Sequence, residues 1–164
     1  MTDALTGLPN ARFLHSTFDR EKRASANDKF PLTLLLTDLG HFREASDKIE
    51  NRRADQTIRE IASLMLSQIR GTDTLVHYLG DEFIVMLRNT PPEMVVEVIA
   101  RIQSSIIESR PAVLSPDEAM LGVCIGQAIV GVDGDSLDSL LDVAQVKLQA
   151  DRSARQSLSN ALAA

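Results

Sequence analysis

The spacing of hydrophobic residues changes several times along the chain, and each change predicts a helix or a strand. Apolar residues at helical spacing predict amphipathic helices, whereas near-continuous apolar runs predict buried strands. The predicted helices span residues 11–24, 42–49, 55–70 and 91–109, with a last helix after residue 136. The predicted strands span residues 32–39 and 120–130, with a β-hairpin over 76–87. Because helices separate the strands but one connection is a hairpin, we expect an α/β sandwich whose central sheet is mixed or mainly antiparallel.

Residues with special backbone or capping chemistry mark the ends of these elements. Asn10 and Ser136 are the expected N-caps of the first and last helices. The Thr-Pro-Pro-Glu segment that starts at Thr90 reads as a capping box with proline at the first helical position. Gly71 is a natural C-cap for the helix over 55–70. Gly126, inside the last predicted strand, suggests a bend or a close backbone approach.

The bulk composition limits the possible classes of function. The chain has 164 residues, 44% of them hydrophobic and 24% charged, which suits one domain with a sizeable core. A net charge of −6 argues against a general nucleic-acid binder, but it leaves a nucleotide ligand open because a bound metal can carry positive charge. The single cysteine, Cys124, excludes a disulfide framework and predicts a packed core thiol. No segment resembles a signal peptide or reaches transmembrane length, so we expect a cytoplasmic location.

Acidic residues stand next to buried strands at two places in this pattern. Asp81 and Glu82 lie at the tip of the predicted hairpin, and Asp38 lies at the C-terminal end of the strand over 32–39. Carboxylates on such rigid elements suit a hard cation such as Mg²⁺. The alternatives are a solvent-exposed turn, since Gly-Asp is common turn chemistry, and a strand-end acid that makes local hydrogen bonds. We expect both places to be accessible to solvent.

Three ordered segments together give a more specific indication than any one of them. They read Asp-Ala-Leu-Thr-Gly-Leu-Pro-Asn over residues 3–10, Thr-Asp-Leu-Gly-His-Phe-Arg over 37–43 and Leu-Gly-Asp-Glu-Phe over 79–83. In sequence and spacing they resemble the motifs of the GGDEF family, the diguanylate cyclases that make cyclic di-GMP. The resemblance implies a fold like that of the class III nucleotidyl cyclases, with a mainly antiparallel five-stranded sheet surrounded by helices. It also implies that residues 1–164 form a single GGDEF domain of a longer multidomain signalling protein.

The same resemblance implies a site between the end of the first strand and the signature hairpin. Asp38, Asp81 and the backbone carbonyl of Leu39 would bind Mg²⁺ or Mn²⁺, and Asp38, Asp81 and Glu82 would be the catalytic residues. The positions implied to contact the substrate GTP are Phe42, Arg43, Ser46, Asp55, Leu79, Gly80 and Arg152.

A second site is implied for the product. Arg70 and Asp73 resemble the Arg-x-x-Asp motif of an inhibitory site for cyclic di-GMP, and arginine can grip guanine in a bidentate fork. The alternative for Arg70 is a cation that complements a helix C-terminus.

Departures from the family pattern fall first on the signature and on the guanine-reading positions. Leu79 replaces the first glycine; if that position needs a positive φ, leucine costs about 1–2 kcal/mol, and its side chain would crowd the ribose or phosphates. Gly40 removes a carboxylate near the metal. Ser46 replaces an asparagine and offers fewer hydrogen-bonding groups to guanine. Asp55 can still accept from guanine, or it can complement a helix N-terminus.

The phosphate-binding positions near the C-terminus also depart from the pattern. Arg152 best matches a phosphate-binding lysine of the family, whereas Gln156 stands where an arginine is expected. The neighbouring Arg155 could substitute for that arginine.

Two functions follow from this combination of retained and altered residues. The first is a slow diguanylate cyclase that condenses two GTP to cyclic di-GMP, for which a homodimer or a partner GGDEF domain must bring two sites face to face. The second is a catalytically degenerate domain that binds GTP or cyclic di-GMP as a sensor. Neither function calls for a nucleic-acid polymer, or for a membrane contact in this segment.

Overall fold

The computed structural model of the chain describes residues 1–39, 51–109 and 123–163. The helices in these ranges are α1 (Ala11–Ala24), α2 (Asn51–Ser67), α3 (Pro92–Ser109) and α4 (Leu137–Ala163), with a short 3-10 helix at Ser25–Asn27 after α1. The strands are β1 (Thr33–Leu39), β2 (Thr74–Leu79), β3 (Glu82–Leu87) and β4 (Val123–Ile129). The predicted hairpin is therefore confirmed, while the helix predicted over 42–49 lies outside the described residues.

The strands form one sheet in the order β2-β3-β1-β4, and every neighbouring pair is antiparallel. Every residue of β1 is buried, which confirms that the apolar run over 32–39 contains a strand covered on both faces. The mainly antiparallel sheet with surrounding helices is confirmed as well. The described ranges contain four strands, so the count of five implied by the family resemblance is not met within them.

Alternating residues of the central strands supply two apolar cores, one on each face of the sheet. The first core packs under α2 and α3 and includes Leu35, Ile58, Ile61, Met65, Phe83, Val85, Val95, Ile102 and Ile106. The second core packs under α1 and α4 and includes Leu14, Phe18, Leu34, Leu36, Ile84, Met86, Cys124, Leu140, Ala144 and Leu148. In α3, Val98 is buried in the first core, whereas Ile99 packs against it only partly buried.

The predicted caps of the first and last helices are confirmed. The Asn10 side-chain oxygen accepts a hydrogen bond from the Phe13 backbone N–H at 3.0 Å. The Ser136 hydroxyl oxygen accepts one from the Ser139 backbone N–H at 3.1 Å. Each cap satisfies a donor that the first helical turn leaves unpaired.

Two other predicted helix ends are wrong. The helix α2 ends at Ser67, so Gly71 is not its C-cap. The helix α3 begins at Pro92, one residue later than the capping box requires. The Thr90 hydroxyl instead donates to the Arg88 carbonyl oxygen at 2.8 Å and accepts from the Arg70 guanidinium at 2.7 Å. Residues 70, 73, 88 and 90 form a hydrogen-bonded network between the end of α2 and the start of α3.

Gly126 allows α4 to approach the sheet closely. A Cβ atom at this position would overlap the Ala144 carbonyl oxygen and the Leu148 backbone nitrogen. These are backbone atoms, which cannot rotate away as a side chain can, so the close approach predicted for Gly126 is confirmed.

The neighbouring Cys124 is a buried free thiol, as predicted. Among the described residues, no helix combines the length and apolar character needed to cross a membrane.

Replacing Gly126 with alanine should therefore destabilise the fold strongly. We expect Gly126→Ala to lower the free energy of unfolding by about 3 kcal/mol, the upper part of the range for overpacked positions. Urea unfolding followed by circular dichroism measures this. Gly71→Ala is the matched control, because a Cβ there meets no atom within 4 Å, and it should stay within about 0.5 kcal/mol of wild type. Equal stability of the two variants would contradict the close approach.

Candidate active site

Strand register brings three of the expected acidic and apolar residues to one face of the sheet. Asp38 is opposite Glu82 in the β1–β3 pair and opposite Cys124 in the β1–β4 pair. Residues opposite each other in an antiparallel pair point to the same face. Leu79 is opposite Glu82 in the β2–β3 pair. Asp38, Glu82 and Leu79 therefore lie on the face that α1 and α4 cover.

A two-residue turn, Gly80 and Asp81, connects β2 to β3; we call it the signature turn. A β-bulge between His77 and Leu79 shifts the register just before it. Gly80 has a φ of 24° and is exposed, whereas only 5% of the Asp81 surface is exposed. Asp38 is buried too, at the end of β1. The prediction that both acidic places are accessible is therefore wrong, because the bulged turn folds Asp81 inward.

The two buried carboxylates lie close together and influence each other. Burial first, and then the negative charge of Asp81, raises the pKa of Asp38 from 3.8 to about 6. The closeness of the two carboxyl groups also favours the protonated form of Asp38, while the positive charge of Arg152 acts in the opposite direction. A carboxylate pair with this electrostatic conflict favours the binding of a cation or the sharing of a proton.

Arg152 reaches this pair from α4. One of its terminal guanidinium nitrogens donates to Asp38 Oδ2. Arg152 is the residue that the sequence analysis matched to a phosphate-binding lysine of the family. In the structure its positive charge lies beside the two acids. The neighbouring Arg155 is held along α4 by Asp151, with 3.1 Å between Arg155 Nε and Asp151 Oδ2. The Gln156 amide donates to Asn160 on the next turn of the same helix.

The donor set at Asp38 and Asp81 fits a hard cation. Asp38 Oδ1 is buried and accepts no hydrogen bond from the described residues. Leu39 is the last residue of β1, directly after Asp38. No group of three histidine, cysteine or acidic side chains arranged to hold a metal occurs in residues 1–39, 51–109 and 123–163. Magnesium sites often use only one or two carboxylates and take their remaining oxygens from substrate phosphates and water.

Leu79 fits its backbone position without strain. Among the described residues that are not glycine, only Asn89 has a positive φ, so the strain considered for Leu79 is not present. Leu79 is the last residue of β2 and its side chain stands out of the protein, with 58% of the residue exposed. The positive φ of the turn falls on Gly80 instead. Any effect of Leu79 must therefore come from its side chain and what the side chain meets.

The positions expected to read the base are only partly described. Phe42, Arg43 and Ser46 lie outside the described residues, as does Gly40. Asp55 is exposed on α2. Because α2 begins at Asn51, Asp55 stands in the second helical turn, and the alternative that it complements the N-terminus from the first turn is wrong.

Arg70 and Asp73 form a pair that is tied into the fold. Arg70 Nε is 3.2 Å from Asp73 Oδ2, and a second guanidinium nitrogen is 3.2 Å from Oδ1. Asp73, whose side chain is 2% exposed, also accepts from the backbone N–H groups of Arg70 and Arg88. The same guanidinium donates to the Arg88 carbonyl oxygen. Since α2 ends before residue 70, the alternative of Arg70 as a helix C-terminal cation is wrong.

A cavity of about 80 Å³ adjoins this pair. Its lining includes Arg70, Asp73, Gln68, Met94 and Arg101. Arg101, from α3, brings a second guanidinium to the cavity and donates to the Gln68 carbonyl oxygen at 3.2 Å. The sequence analysis missed Arg101, because nothing in its local pattern distinguishes it from a solvated helix residue.

A model of the protein family described as "Diguanylate cyclase, GGDEF domain" matches residues 1–157. The chain belongs to the GGDEF family. Diguanylate cyclase DosC of Escherichia coli K12 is 28% identical over 127 residues, which are 77% of this chain and 28% of that protein. This GGDEF chain therefore spans less than a third of the length of that relative.

Solved structures share the fold of this GGDEF chain. The GGDEF domain of TpbB, also called YfiN, from Pseudomonas aeruginosa superposes with a TM-score of 0.81 at 24% identity and covers 93% of this chain and 89% of its own. The GGDEF domain of DgcB from Caulobacter crescentus, solved in complex with c-di-GMP, superposes with a TM-score of 0.80 at 21% identity over 93% and 90% of the two chains. These likenesses establish the fold.

The buried Asp38 should make stability depend on pH in a defined direction. The pKa of Asp38 in the folded protein is about 6, above its ordinary value of 3.8. The folded protein therefore loses stability as the pH rises from 3.8 to 6, because Asp38 ionises more readily in the unfolded chain. Above pH 6 the loss is complete. Asp38→Asn removes the cost and should stabilise the metal-free protein at pH 8 by up to about 3 kcal/mol, at about 1.4 kcal/mol per pKa unit. At pH 4 the gain should vanish.

Urea unfolding of wild type and variant at both pH values measures this gain. Asp19→Asn, which removes an exposed charge from α1, is the control for the change in net charge. A gain from Asp38→Asn that is the same at pH 4 and pH 8 would contradict the electrostatic conflict.

Proposed function

We propose that this domain is a slow diguanylate cyclase that condenses two GTP to cyclic di-GMP. The observation that carries the proposal is the buried pair of Asp38 and Asp81 with Arg152 beside it. Two acids and one cation at the end of a rigid strand provide what phosphoryl chemistry requires, which is fixed positive charge near the phosphates and fixed ligands for a metal.

Asp38, Asp81 and the Leu39 carbonyl are the groups that would hold Mg²⁺ or Mn²⁺. The bound ion would supply charge neutralisation for the triphosphate and for the departing pyrophosphate. The buried Asp38 Oδ1, which accepts no hydrogen bond from the described residues, supports this assignment.

The side chains around the acids have distinct tasks in this proposal. Arg152 binds a phosphate of GTP. To do so it breaks its ion pair with Asp38, because a phosphate oxygen and a carboxylate oxygen compete for the same guanidinium. Glu82 shares the face of Asp38 and orients the reacting groups there. Asp55 accepts from guanine, with Ser46, Phe42 and Arg43 as further substrate contacts.

Two such sites must meet for the reaction, since each domain holds one GTP. Leu79 and Gly80 are exposed at the edge of the site and lie where the second nucleotide approaches. In this arrangement the reactive 3′-hydroxyl of one GTP faces the α-phosphate of the other, and their positioning supplies much of the rate.

The alternative function is a sensor that binds GTP or cyclic di-GMP without turnover. The exposed leucine favours it, because a bulky side chain at the edge of the site keeps two nucleotides apart. The ion pair between Arg152 and Asp38 favours it too, because the pair must be broken before a metal takes both carboxylates.

Product analysis at high protein concentration distinguishes enzyme from sensor. Wild type incubated with GTP and Mg²⁺ should form cyclic di-GMP slowly, as detected by chromatography. Asp81→Asn should lower the rate at least about 100-fold, since the metal contributes several kcal/mol of charge stabilisation. Leu79→Gly should raise it about tenfold by opening room for the nucleotide. Leu79→Ala is the matched control: because Leu79 is unstrained, alanine should activate as well as glycine.

Each other outcome has a defined meaning. Product from the Leu79 variants alone identifies a cyclase silenced at one position and leaves the wild type as a binding module. Product from none of them, with GTP binding intact in calorimetry, favours the sensor. Rapid turnover that is equal in wild type and both variants would refute the role of Leu79.

We also propose that Arg70, Asp73 and Arg101 bind cyclic di-GMP as an inhibitory site. Arg101→Ala should weaken calorimetric binding of cyclic di-GMP at least about tenfold, since a bidentate contact to guanine contributes about 1–3 kcal/mol. Arg101 is the better target, because Arg70 also holds the fold together through Asp73. Arg20→Ala, which removes an exposed arginine of α1, is the control. A complex with the ligand only against Asp38, Asp55 and the hairpin would show that the cleft is the product site.

A further inference from the structure

The side of α4 that faces the sheet changes from apolar to charged where the helix reaches the candidate active site. Ala144 and Leu148 are buried against the sheet at helical spacing. Asp151 and Arg155 continue the same side of the helix at that spacing. Among the α4 residues whose burial is described, Leu148 is the last that is buried. Full apolar burial therefore ends before Arg152, and the part of α4 that carries this arginine depends on other contacts.

The Asp151 carboxylate ties that part of α4 to the edge of the sheet. Its Oδ2 atom accepts a hydrogen bond of 2.8 Å from the backbone N–H of Ile125 in β4. Among the described strands, β4 lies at one edge of the sheet. An edge strand turns alternate N–H groups away from its neighbour and leaves them without a strand partner. Asp151 therefore supplies the acceptor that a further strand would supply.

This bond lies directly beside the ion pair of the site. Ile125 follows Cys124, which is opposite Asp38 in the β1–β4 pair. On the helix, Arg152 follows Asp151 and donates to Asp38. The anchoring bond and the ion pair are thus neighbours both on the helix and across the sheet. A shift of α4 that breaks the first also moves the guanidinium of the second.

The anchor at Asp151 fixes α4 at a second point. The first point is the close approach at Gly126, where the backbone of α4 at Ala144 and Leu148 lies against the strand. One point of contact leaves a helix able to tilt and to rotate about it. Asp151 is about one helical turn beyond Leu148, so its bond to β4 restrains both movements just where the site begins.

Arg155 in turn holds the Asp151 carboxylate in place. Its Nε atom donates to Oδ2 at 3.1 Å and lies 3.2 Å from Oδ1. The Arg155 side chain is 22% exposed and that of Asp151 is 28% exposed, so solvent screens the pair only in part. The sequence analysis considered Arg155 as a second phosphate-binding arginine. In the structure its Nε–H is directed to the anchor.

We propose that Asp151 is a positioning residue: its bond to the Ile125 N–H fixes α4 so that Arg152 stays beside the acids, where it can take a phosphate of the nucleotide. An arginine side chain has several rotatable bonds, so fixing its Cα atom limits the volume that its guanidinium explores. Asp151 itself contacts neither metal nor phosphate. The inference rests on the proposed function for its effect on nucleotide binding, but not for the placement of Arg152.

The placement of Arg152 is tested without any nucleotide. Its Nε atom is buried, so the Nε–H should exchange slowly with water. Nitrogen-15 NMR of the arginine side chains measures this exchange, and loss of the signal in Arg152→Ala assigns it. Asp151→Ala should speed the exchange at least about tenfold, because the end of α4 then opens locally. Asp151→Asn keeps an acceptor oxygen for Ile125 and should resemble wild type.

A second variant removes the anchor in another way. In Asp151→Ser the side-chain oxygen stands one bond nearer to α4 and does not reach the Ile125 N–H, so this variant should match Asp151→Ala. It takes the place of the alanine variant if circular dichroism shows that alanine prevents folding. An Arg152 signal that exchanges as in wild type in these variants would overturn the proposal.

The consequence for binding is tested by calorimetry with GTP and Mg²⁺. Asp151→Ala should lower the affinity about tenfold, as expected when one charge-assisted contact to a phosphate is lost. Asp151→Asn should stay within about threefold of wild type, because its amide oxygen still accepts from Ile125. Asp142→Ala, which removes an exposed aspartate of the same helix, is the matched control and should bind as wild type. A higher affinity in Asp151→Ala would show that Asp151 instead withholds Arg155 from the phosphates, and the proposal would be wrong.

A double-mutant cycle separates positioning from general support of the fold. If Asp151 acts through Arg152, adding Asp151→Ala to Arg152→Ala should cause no further loss of affinity. The same loss in both backgrounds would show that Asp151 acts independently of Arg152, which contradicts the positioning role.

The two proposals fail in different ways. If neither wild type nor any variant binds GTP, the proposed function is wrong, while the arginine NMR still decides whether Asp151 positions Arg152. If wild type and Asp151→Ala bind GTP equally, the positioning role is wrong and the proposed function is untouched.

Discussion

The burial of two carboxylates beside each other, at the end of a strand that is covered on both faces, is the constraint on which the site depends. Asp38 cannot turn to solvent, because β1 runs between β3 and β4 with helices on either face. The Asp81 side chain cannot turn to solvent either, because the bulge and the signature turn direct it inward. Removing two charges from water is costly unless a cation compensates them. The fold maintains this cost, and the ion pair with Arg152 lowers it.

Arg152 gives the nucleotide-free site a cation of its own. Its ion pair with Asp38 lowers the electrostatic cost of the acids, and for the same reason it competes with a metal for Asp38. In the proposed function, a triphosphate would resolve the competition, because it would offer the guanidinium new oxygens while bringing further ligands to the metal. Metal and nucleotide binding should therefore be coupled at this site, whether or not turnover follows.

The fold was predictable where the signal is local. The buried run of β1, the hairpin and the Asn10 and Ser136 caps are properties of neighbouring residues, and the sequence analysis identified each of them. The burial of Asp81 and the end of α2 depend on contacts between distant segments, and the prediction of each was wrong. The place of Arg101 at the cavity was missed for the same reason. The motif resemblance singled out Arg152, which the structure places beside Asp38. Local periodicity alone would make Arg152 only another residue of a long helix.

Leu79 shows that the first residue of the GGDEF signature can be replaced without strain in the backbone. The first signature position ends β2 in ordinary extended conformation, and the second, Gly80, carries the positive φ. A leucine at the first position is therefore compatible with the turn, and the strand pairing of Leu79 with Glu82 is retained. The difference between a cyclase and a sensor then cannot lie in turn strain. In the proposed function, the difference would lie in what the exposed Leu79 side chain meets, the nucleotide or the second domain. A substitution at this surface position could then change it while the buried acids stay the same.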